Sequence, residues 1–264
     1  MPIIKIKGGL GNQMFQYAYG RQLQLKKHKK VVFDTSFFEE NTKDTSRPFL
    51  LDKFNINLSD FRNIKRNKIQ LFLNKYKDKI LLRLIKDYSF YQKEKYFIDI
   101  QKHILKEFTL KDELSQEAKT IRERIIQVSN SVSIHIRRGD YINNKKYNKH
   151  HGVCGIDYYK NAINYIKQRI QNPIFFIFSD DITWVRQNFL IENAIYVSNA
   201  NIKDYEELYL MSLCKNNIIA NSTFSWWGAY LNKNENKIVI APIKWTTKKT
   251  SKELDILPSG WVIV

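Results

Sequence analysis

The chain of 264 residues is 43% apolar and 14% aromatic, which supplies material for a buried core and fits one large domain or two compact ones. Its 44 Lys and Arg residues against 26 Asp and Glu residues give a net charge of +18, which attracts anionic partners. Two cysteines exclude a disulfide framework and a four-cysteine zinc site, and no apolar run reaches the roughly 20 residues that a membrane-spanning helix needs.

The first half of the chain opens with a strand, a loop, a helix and a second strand. Residues 3–6 predict a short apolar strand that leads into the glycine-rich segment 8–13. Residues 14–27 predict an amphipathic helix, because apolar residues recur there at helical spacing, and residues 31–34 predict the second strand. Beyond them, the sequence predicts loops over 35–60 and mainly helical structure over 61–125.

The second half alternates strands and helices more regularly. Its predicted strands are apolar across their whole width, which is typical of a parallel sheet covered by helices on both faces. Such sheets bind ligands beyond the carboxyl ends of their strands. The predicted strands are 131–136, 174–178, 194–197, 217–220 and 237–241, and the predicted helices are 156–170, 181–189, 204–215 and 223–231.

The segment Gly8-Gly9-Leu10-Gly11-Asn12-Gln13 precedes the first predicted helix. Closely spaced glycines let backbone N–H groups approach an anion at a helix N-terminus. The segment lacks the third glycine of the dinucleotide-binding fingerprint, because Met14 stands there, and no Gly-Lys-Ser/Thr follows. Taken alone, the segment is as compatible with a tight structural turn as with a ligand-binding loop.

The motif His135-Ile136-Arg137-Arg138-Gly139-Asp140 stands at the end of a predicted strand. His135 and Arg137 share one face of that strand, opposite its apolar face. Two guanidinium groups at this place are suited to bidentate binding of a diphosphate without a metal ion. The alternative is a structural pair of Arg138 with Asp140 beside a core histidine.

The motif Phe178-Ser179-Asp180-Asp181 also follows a strand. One carboxylate there could accept the ring N–H and the exocyclic amine of guanine, a pair of donors that adenine lacks. The competing role is N-capping of the next helix. We expect one aspartate to cap the helix and the other to read the base, and the sequence leaves the assignment open.

A fourth motif, Asn221-Ser222-Thr223-Phe224-Ser225-Trp226-Trp227, opens a predicted helix. The Ser222 and Thr223 hydroxyls and the first N–H groups of the helix predict a second phosphate-binding element. The alternative is a capped helix with a structural role only, and in either case Trp226 and Trp227 are expected in the core. The sequence contains no Asp-x-Asp and no cluster of His, Cys and carboxylates with metal-ligand spacing.

Together these four motifs resemble those of the bacterial α-1,2-fucosyltransferases, a family of glycosyltransferases. Their order and spacing match from residue 3 to about residue 245, and the glycine-rich segment combined with the arginine pair is the specific part. The resemblance implies an α/β fold of the GT-B type, in which two Rossmann-like domains with parallel sheets and helices on both faces flank a cleft. It places an acceptor-side domain at 1–125 and a GDP-fucose-binding domain at 126–264.

The resemblance also implies roles for individual residues of the donor site. In the C-terminal domain, Arg137 would contact the β-phosphate with Arg138 in support, His135 would lie beside the phosphates, Asp180 or Asp181 would meet guanine, and Ser222 and Thr223 would hold the diphosphate. In the N-terminal domain, Gly9, Gly11 and Asn12 would face the donor, with Asn12 near the fucose–phosphate linkage.

The implied activity is transfer of L-fucose, with inversion, from GDP-β-L-fucose to the 2-hydroxyl of a terminal galactoside. The implied setting is O-antigen or other surface polysaccharide synthesis, in the cytoplasm or at the inner face of the cytoplasmic membrane. Neither a cofactor nor a metal ion is expected. The general base stays open between Asp140, His151, His150, Glu39 and Glu40, and an oxocarbenium-like transition state also allows for none.

Other functions compete with this one. They are fucosyl transfer with α-1,6 linkage, non-catalytic binding of a nucleotide or sugar, and RNA binding, for which no recognition motif is present. The positive charge lies in short separate runs, which is typical of solvated helix faces, and contact of residues 62–86 with an anionic membrane surface is the second interpretation.

Overall fold

The structure, a computed structural model, describes residues 1–39, 47–64 and 90–264. The chain forms two compact units, Met1–Lys111 and Asp112–Val264. This division precedes the 125/126 boundary that the sequence predicts, because the helix Gln116–Gln127 packs in the second unit. Its Ala118 and Ile125 are buried with Phe176 in a core of that unit.

The first unit is built on a small parallel sheet. Within the described residues, β1 (Ile3–Lys5), β2 (Val32–Asp34) and β3 (Phe61–Arg62) pair in that order. The helix α1 (Leu10–Lys27) connects β1 to β2, as predicted, and buries Met14, Phe15 and Ala18. The other described elements of this unit are four 3₁₀ turns, Ser36–Phe38, Leu51–Lys53, Glu94–Tyr96 and Ile98–Ile100, and the helix α2 (Gln101–Glu107).

These elements correct the sequence predictions at two places. The irregular character of 35–60 is confirmed for its described residues, but β3 lies where helical structure is predicted. The helix α1 begins at Leu10 rather than Met14, because the backbone N–H groups of Asn12 and Gln13 already donate to the carbonyl of Gly9 at 2.9 and 3.1 Å.

The second unit holds a six-stranded parallel sheet with the order β6-β5-β4-β7-β8-β9 in its described residues. Helices follow most strands, which confirms the predicted α/β class. The strands are β4 (Ser131–Ile136), β5 (Ile174–Ser179), β6 (Ala194–Tyr196), β7 (Asn216–Ile218), β8 (Val239–Ala241) and β9 (Val262–Ile263). The helices are α3 (Gln116–Gln127), α4 (Gly139–Asn143), α5 (Lys145–His151), α6 (Ile156–Lys167), α7 (Ile182–Asn188), α8 (Asp204–Leu213), α9 (Thr223–Tyr230) and α10 (Ser251–Leu254).

Two apolar clusters cover the two faces of this sheet. Ile134 and Ile177 belong to one cluster, and Phe176 and Phe178 belong to the other. Val132, Ile134 and Ile136 of β4 all belong to the first cluster, which confirms the apolar face predicted for β4. Trp226 is fully buried, as predicted, and its indole N–H donates to the carbonyl of Ile256 at 2.8 Å. In the part of the chain that the structure describes, no helix is long and apolar enough to cross a bilayer.

Candidate functional site

The carboxyl ends of three adjacent strands carry the predicted site residues of the second unit. β4 lies between β5 and β7, and all three run in the same direction. Arg137 directly follows β4, Asp180 directly follows β5, and Asn221 comes shortly after β7. The fold therefore brings three of the four sequence motifs to one edge of one sheet.

The two arginines of this edge are held by the two aspartates. The backbone N–H of Arg138 donates to Asp180 Oδ1 at 2.8 Å, and a terminal guanidinium nitrogen of Arg137 lies 3.2 Å from Asp180 Oδ2. The guanidinium Nε of Arg138 lies 3.5 Å from Asp181 Oδ2. Asp181 is also the N-cap of α7, because its Oδ1 accepts the backbone N–H of Trp184. One aspartate of the pair thus caps the helix, while recognition of a base by either stays a prediction.

Aromatic rings cover both guanidinium groups. The guanidinium carbon of Arg138 lies 3.2 Å from the centre of the Trp184 ring, and that of Arg137 lies 5.4 Å from the centre of the Tyr141 ring. Both arginine side chains are less than one-fifth exposed. Stacking of this kind restricts the planar guanidinium to few orientations and leaves its N–H groups to bind in that plane.

Asn221 connects the segment after β4 to the start of α9. Its side-chain amide donates to the carbonyls of His151, Gly152 and Trp245 at 3.0, 3.3 and 3.3 Å. The main-chain carbonyl of Asn221 accepts a hydrogen bond from the Tyr141 hydroxyl at 3.3 Å. Because Tyr141 covers Arg137 and Asn221 precedes Ser222, these bonds fix the arginine side of the site relative to the α9 N-terminus.

His135 is a buried neutral imidazole at the centre of this edge. It is 3% exposed, and burial together with the positive charge of Arg137 lowers its pKa to about 3. Its Nδ1 has no hydrogen-bond partner within the structure, and its ring lies 5.5 Å from that of Phe224 in the first turn of α9. An unpaired buried polar atom is costly, so this nitrogen is suited to a polar group that a ligand brings.

The α9 N-terminus is capped from within. The Ser222 Oγ accepts the backbone N–H of Phe224 at 3.3 Å, and Ser222 itself is buried. Thr223 is half-buried at the first helical position. The remaining first-turn N–H groups and the positive end of the helix dipole favour an anion here, which agrees with the phosphate-binding role predicted for both residues.

The half-buried carboxyl of Glu207 interacts electrostatically with Asp180. Burial raises the pKa of Glu207 in α8 to about 8, the negative charges of Asp204 and Asp180 act in the same direction, and a hydrogen bond from Ser198 opposes them. At neutral pH the Glu207 carboxyl is therefore mainly protonated. It adds no negative charge beside Asp180.

The glycine-rich segment forms a separate set of contacts in the first unit. Gly8 has a φ of +79°, which favours glycine, whereas a Cβ at Gly9 would meet nothing within 4 Å. The Gln13 amide donates to the carbonyls of Gly8 and Pro48, both at 2.9 Å. Asn12 Oδ1 accepts the side-chain amide of Gln92 at 2.7 Å. The donor-facing roles of Gly9, Gly11 and Asn12 stay predictions.

The candidate bases occupy different surroundings. His150 and Glu39 are exposed, and His151 is half-buried with its ring stacked 4.7 Å from that of Tyr141. Glu40, the side chain of Asp140 and most of the basic stretch 62–86 lie outside the described residues. Among the residues that are described, no group of three or more His, Cys, Asp or Glu side chains is arranged to hold a metal ion.

Three residues contribute to the site without a role predicted from the sequence: Tyr141, Trp184 and Asn221. Asn221 stands in the fourth motif and Tyr141 directly follows the second, so their position beside the motifs was a signal for them. Trp184 lies one turn into α7, and no local pattern distinguishes it from a packing residue. The site can thus present two stacked guanidinium groups, a helix N-terminus and an unpaired neutral imidazole to an anion with several oxygens.

The sequence comparisons agree on one family. The model of glycosyl transferase family 11 matches residues 1–264. The O-antigen biosynthesis glycosyltransferase WbnK of Escherichia coli is 36% identical and aligns with 97% of this chain and 98% of its own. An alpha-1,2-colitosyltransferase of the same species is 34% identical, with 98% and 97% coverage. The galactoside alpha-(1,2)-fucosyltransferase 2 of Rattus norvegicus is 30% identical over 52% of this chain and 40% of its own.

A solved structure is similar in fold. A crystal structure of the NodZ alpha-1,6-fucosyltransferase, soaked with GDP-fucose, superposes with a TM-score of 0.54. The match covers 87% of this chain and 91% of the other, at 13% sequence identity. The likeness confirms the fold class that the sequence predicts.

Proposed function

The chain belongs to glycosyltransferase family 11, and on that premise we propose that it transfers L-fucose from GDP-β-L-fucose to the 2-hydroxyl of a terminal galactoside. The observation that carries the proposal is the pair of stacked guanidinium groups, Arg137 and Arg138, beside the unpaired Nδ1 of His135. This set of donors suits the diphosphate of a nucleotide sugar. The names of the relatives support the α-1,2 linkage and a polysaccharide acceptor such as an O-antigen.

The arginines act on the leaving group. As the bond between fucose C1 and the β-phosphate oxygen breaks, negative charge grows on the diphosphate and C1 takes on oxocarbenium character. Fixed positive charge at the phosphate stabilises that state more than the bound donor, and each such contact contributes roughly 3–4 kcal/mol. Because Arg137 and Arg138 supply the charge, we assign no metal ion to the reaction.

The acceptor completes the step from the opposite face of the sugar. Its 2-hydroxyl oxygen forms the new bond to C1 and loses its proton, so the β-linked donor becomes an α-linked product. Among the described candidates, His151 has a defined environment, since it stacks on Tyr141 and its carbonyl is bound by Asn221. Asp140 remains the other main candidate for the general base. We place the reaction in the cytoplasm, where GDP-sugars are made.

The proposal is tested by incubating the purified protein with GDP-fucose and a panel of galactose-terminated oligosaccharides. We expect a fucosylated product in which NMR places an α linkage on the galactose 2-oxygen. A product linked to O6 would support the α-1,6 alternative, and donor binding without any transfer or hydrolysis would support a non-catalytic role.

Transfer of colitose is the second candidate, because a relative 34% identical over nearly the whole chain carries that name. Colitose lacks the 3-hydroxyl of fucose, so the two donors differ by one polar group. A site that hydrogen-bonds that hydroxyl rejects the deoxy sugar strongly, whereas an apolar site does not. Comparing kcat/KM for GDP-fucose and GDP-colitose decides between them.

A further inference from the structure

Both carboxylate oxygens of Asp180 are engaged by the arginine motif. Oδ1 accepts the backbone N–H of Arg138 at 2.8 Å, and Oδ2 lies 3.2 Å from the guanidinium of Arg137. One side chain therefore sets the backbone direction after β4 and the direction of the first guanidinium. The neighbouring Asp181 is the one that caps α7.

Gly139 leaves the space that Asp180 fills. A Cβ at position 139 would lie 2.5 Å from Asp180 Oδ2, which is closer than real Cβ contacts come, and 3.0 Å from its Cγ, which is tighter than most. Gly139 does not have a positive φ, so backbone conformation does not require glycine there. The glycine of the Arg-Arg-Gly-Asp sequence is explained by the position of one carboxylate.

We propose that Asp180 is a positioning residue for the diphosphate-binding arginines, and that Gly139 is glycine to admit it. The proposal rests on the proposed function for the identity of the ligand, a nucleoside diphosphate, and it assigns Asp180 to the phosphate end of that ligand. Asp180 orients Arg137 across the face of Tyr141, and a planar guanidinium must be oriented before it can bind two phosphate oxygens.

The first test uses two probes that share the phosphates and differ in the base: GDP and inorganic pyrophosphate. Binding of each is measured by calorimetry for the wild type, Asp180→Asn and Asp180→Ala. We expect Asp180→Ala to weaken both probes about tenfold and by the same factor. We expect Asp180→Asn, which keeps an acceptor for the Arg138 N–H, to recover part of that loss. Weakened GDP binding with unchanged pyrophosphate binding would mean that Asp180 reads the base, and the proposal would be wrong.

The second test is a double-mutant cycle between Gly139→Ala and Asp180→Ala. If the added methyl group acts by displacing the carboxylate, Gly139→Ala should weaken pyrophosphate binding about tenfold in the wild type and by less than twofold in Asp180→Ala. An equal loss in both backgrounds would overturn the proposal. Gly155→Ala is the matched control, because a Cβ at Gly155 meets nothing within 4 Å.

Two further outcomes keep the tests separate from the proposed function. If the wild type binds pyrophosphate but neither GDP nor GDP-fucose, the proposed donor is wrong and the cycle still decides the role of Asp180. If the wild type binds no pyrophosphate, the assignment of the arginines to a diphosphate fails, and this proposal fails with it. Thermal unfolding of each variant shows that the measured protein is folded, and Asp180→Asn serves where Asp180→Ala does not fold.

Discussion

The side-chain amide of Asn221 donates to the main-chain carbonyl of His151 at 3.0 Å, and the same amide reaches the carbonyls of Gly152 and Trp245. The side chain of Asn221, a residue that is 3% exposed, thus binds three main-chain carbonyls from different parts of the second unit. The C-terminal end of α5, where His151 lies, is thus held by a residue 70 positions later in the chain.

We expect Asn221→Asp to destabilise the protein strongly. The substitution keeps the shape of the side chain but replaces its N–H₂ donor by an acceptor, so three buried or part-buried carbonyls lose their partner and face a carboxyl oxygen. The expected loss is about 2–3 kcal/mol of unfolding free energy. Thermal unfolding at pH 7 measures it, with Asn234→Asp as the control, because the amide of half-buried Asn234 donates to one carbonyl, that of Lys215. Equal shifts for the two variants would contradict the prediction.

Arg137→Lys should be nearly as damaging to turnover as Arg137→Ala. Lysine retains the charge but cannot bind two phosphate oxygens in one plane or stack on Tyr141 as a flat group. Because the phosphate is most negative as it departs, the loss should fall on kcat as well as on donor KM. Steady-state kinetics with varied GDP-fucose measures both, and circular dichroism confirms the fold. A folded Arg137→Lys enzyme with the kcat of the wild type would show that the arginine is structural.

Removal of metal ions should leave the activity unchanged. The two guanidinium groups provide the positive charge that a divalent ion would otherwise supply to the diphosphate. Activity is compared before and after dialysis against EDTA, and again after addition of Mg²⁺ or Mn²⁺. Loss on chelation that either ion restores would refute the prediction.

GDP should raise the melting temperature more than ADP at equal concentration. With Asp180 assigned to the arginines, Asp181, whose side chain is 37% exposed, is the carboxylate left to accept from both guanine donors, a pair that adenine lacks. A ligand that binds only the folded state stabilises it by mass action. Differential scanning fluorimetry with both nucleotides, and with pyrophosphate as a reference for the shared phosphates, separates the base from the diphosphate. Equal shifts for GDP and ADP would argue against recognition of guanine.

His135 should make the protein less stable in mild acid. Its folded pKa of about 3 lies below its ordinary value of 6.5, so the unfolded chain takes up the proton first. The stability that the neutral His135 gives the folded state is fully present above pH 6.5. It is lost as the pH falls toward 3, by at most about 1.4 kcal/mol of unfolding free energy per pH unit. Urea unfolding between pH 4 and 7 should show a shallower pH slope for His135→Asn than for the wild type. A slope as steep in folded His135→Asn as in the wild type would contradict the prediction.

The sequence is informative where a pattern is local. The strand 131–136 matches its prediction to the residue, because apolar residues alternate along it and polar residues flank it on both sides. The start of α1 does not match, because the closely spaced glycines predict a loop, whereas the backbone N–H groups of Asn12 and Gln13 already bond the carbonyl of Gly9. The helices α4 and α5 are polar and short, so they lack the apolar spacing from which a helix is predicted.

The candidate site likewise has features that the sequence predicts and features that it does not. The rule that ligands bind at the carboxyl ends of parallel strands was sufficient to select Arg137, Asp180 and Ser222. The partner of each arginine was not predictable, because Asp180 and Asp181 reach Arg137 and Arg138 across neighbouring strands. That pairing depends on the register between β4 and β5, which sets His135 opposite Phe178.

The position of β4 between β5 and β7 has a consequence for biosynthesis. The contact between Asn217 and Ser133 joins residues 84 positions apart, so one edge of β4 stays unpaired on the ribosome long after β5 has docked on the other. Until Asn216–Ile218 emerges, a growing chain presents an apolar strand with free backbone donors and acceptors, which is a template for intermolecular pairing. Shortened versions of the second unit that stop before Asn216 should therefore aggregate, and slower translation of the stretch between β5 and β7 should lower the yield of the full chain.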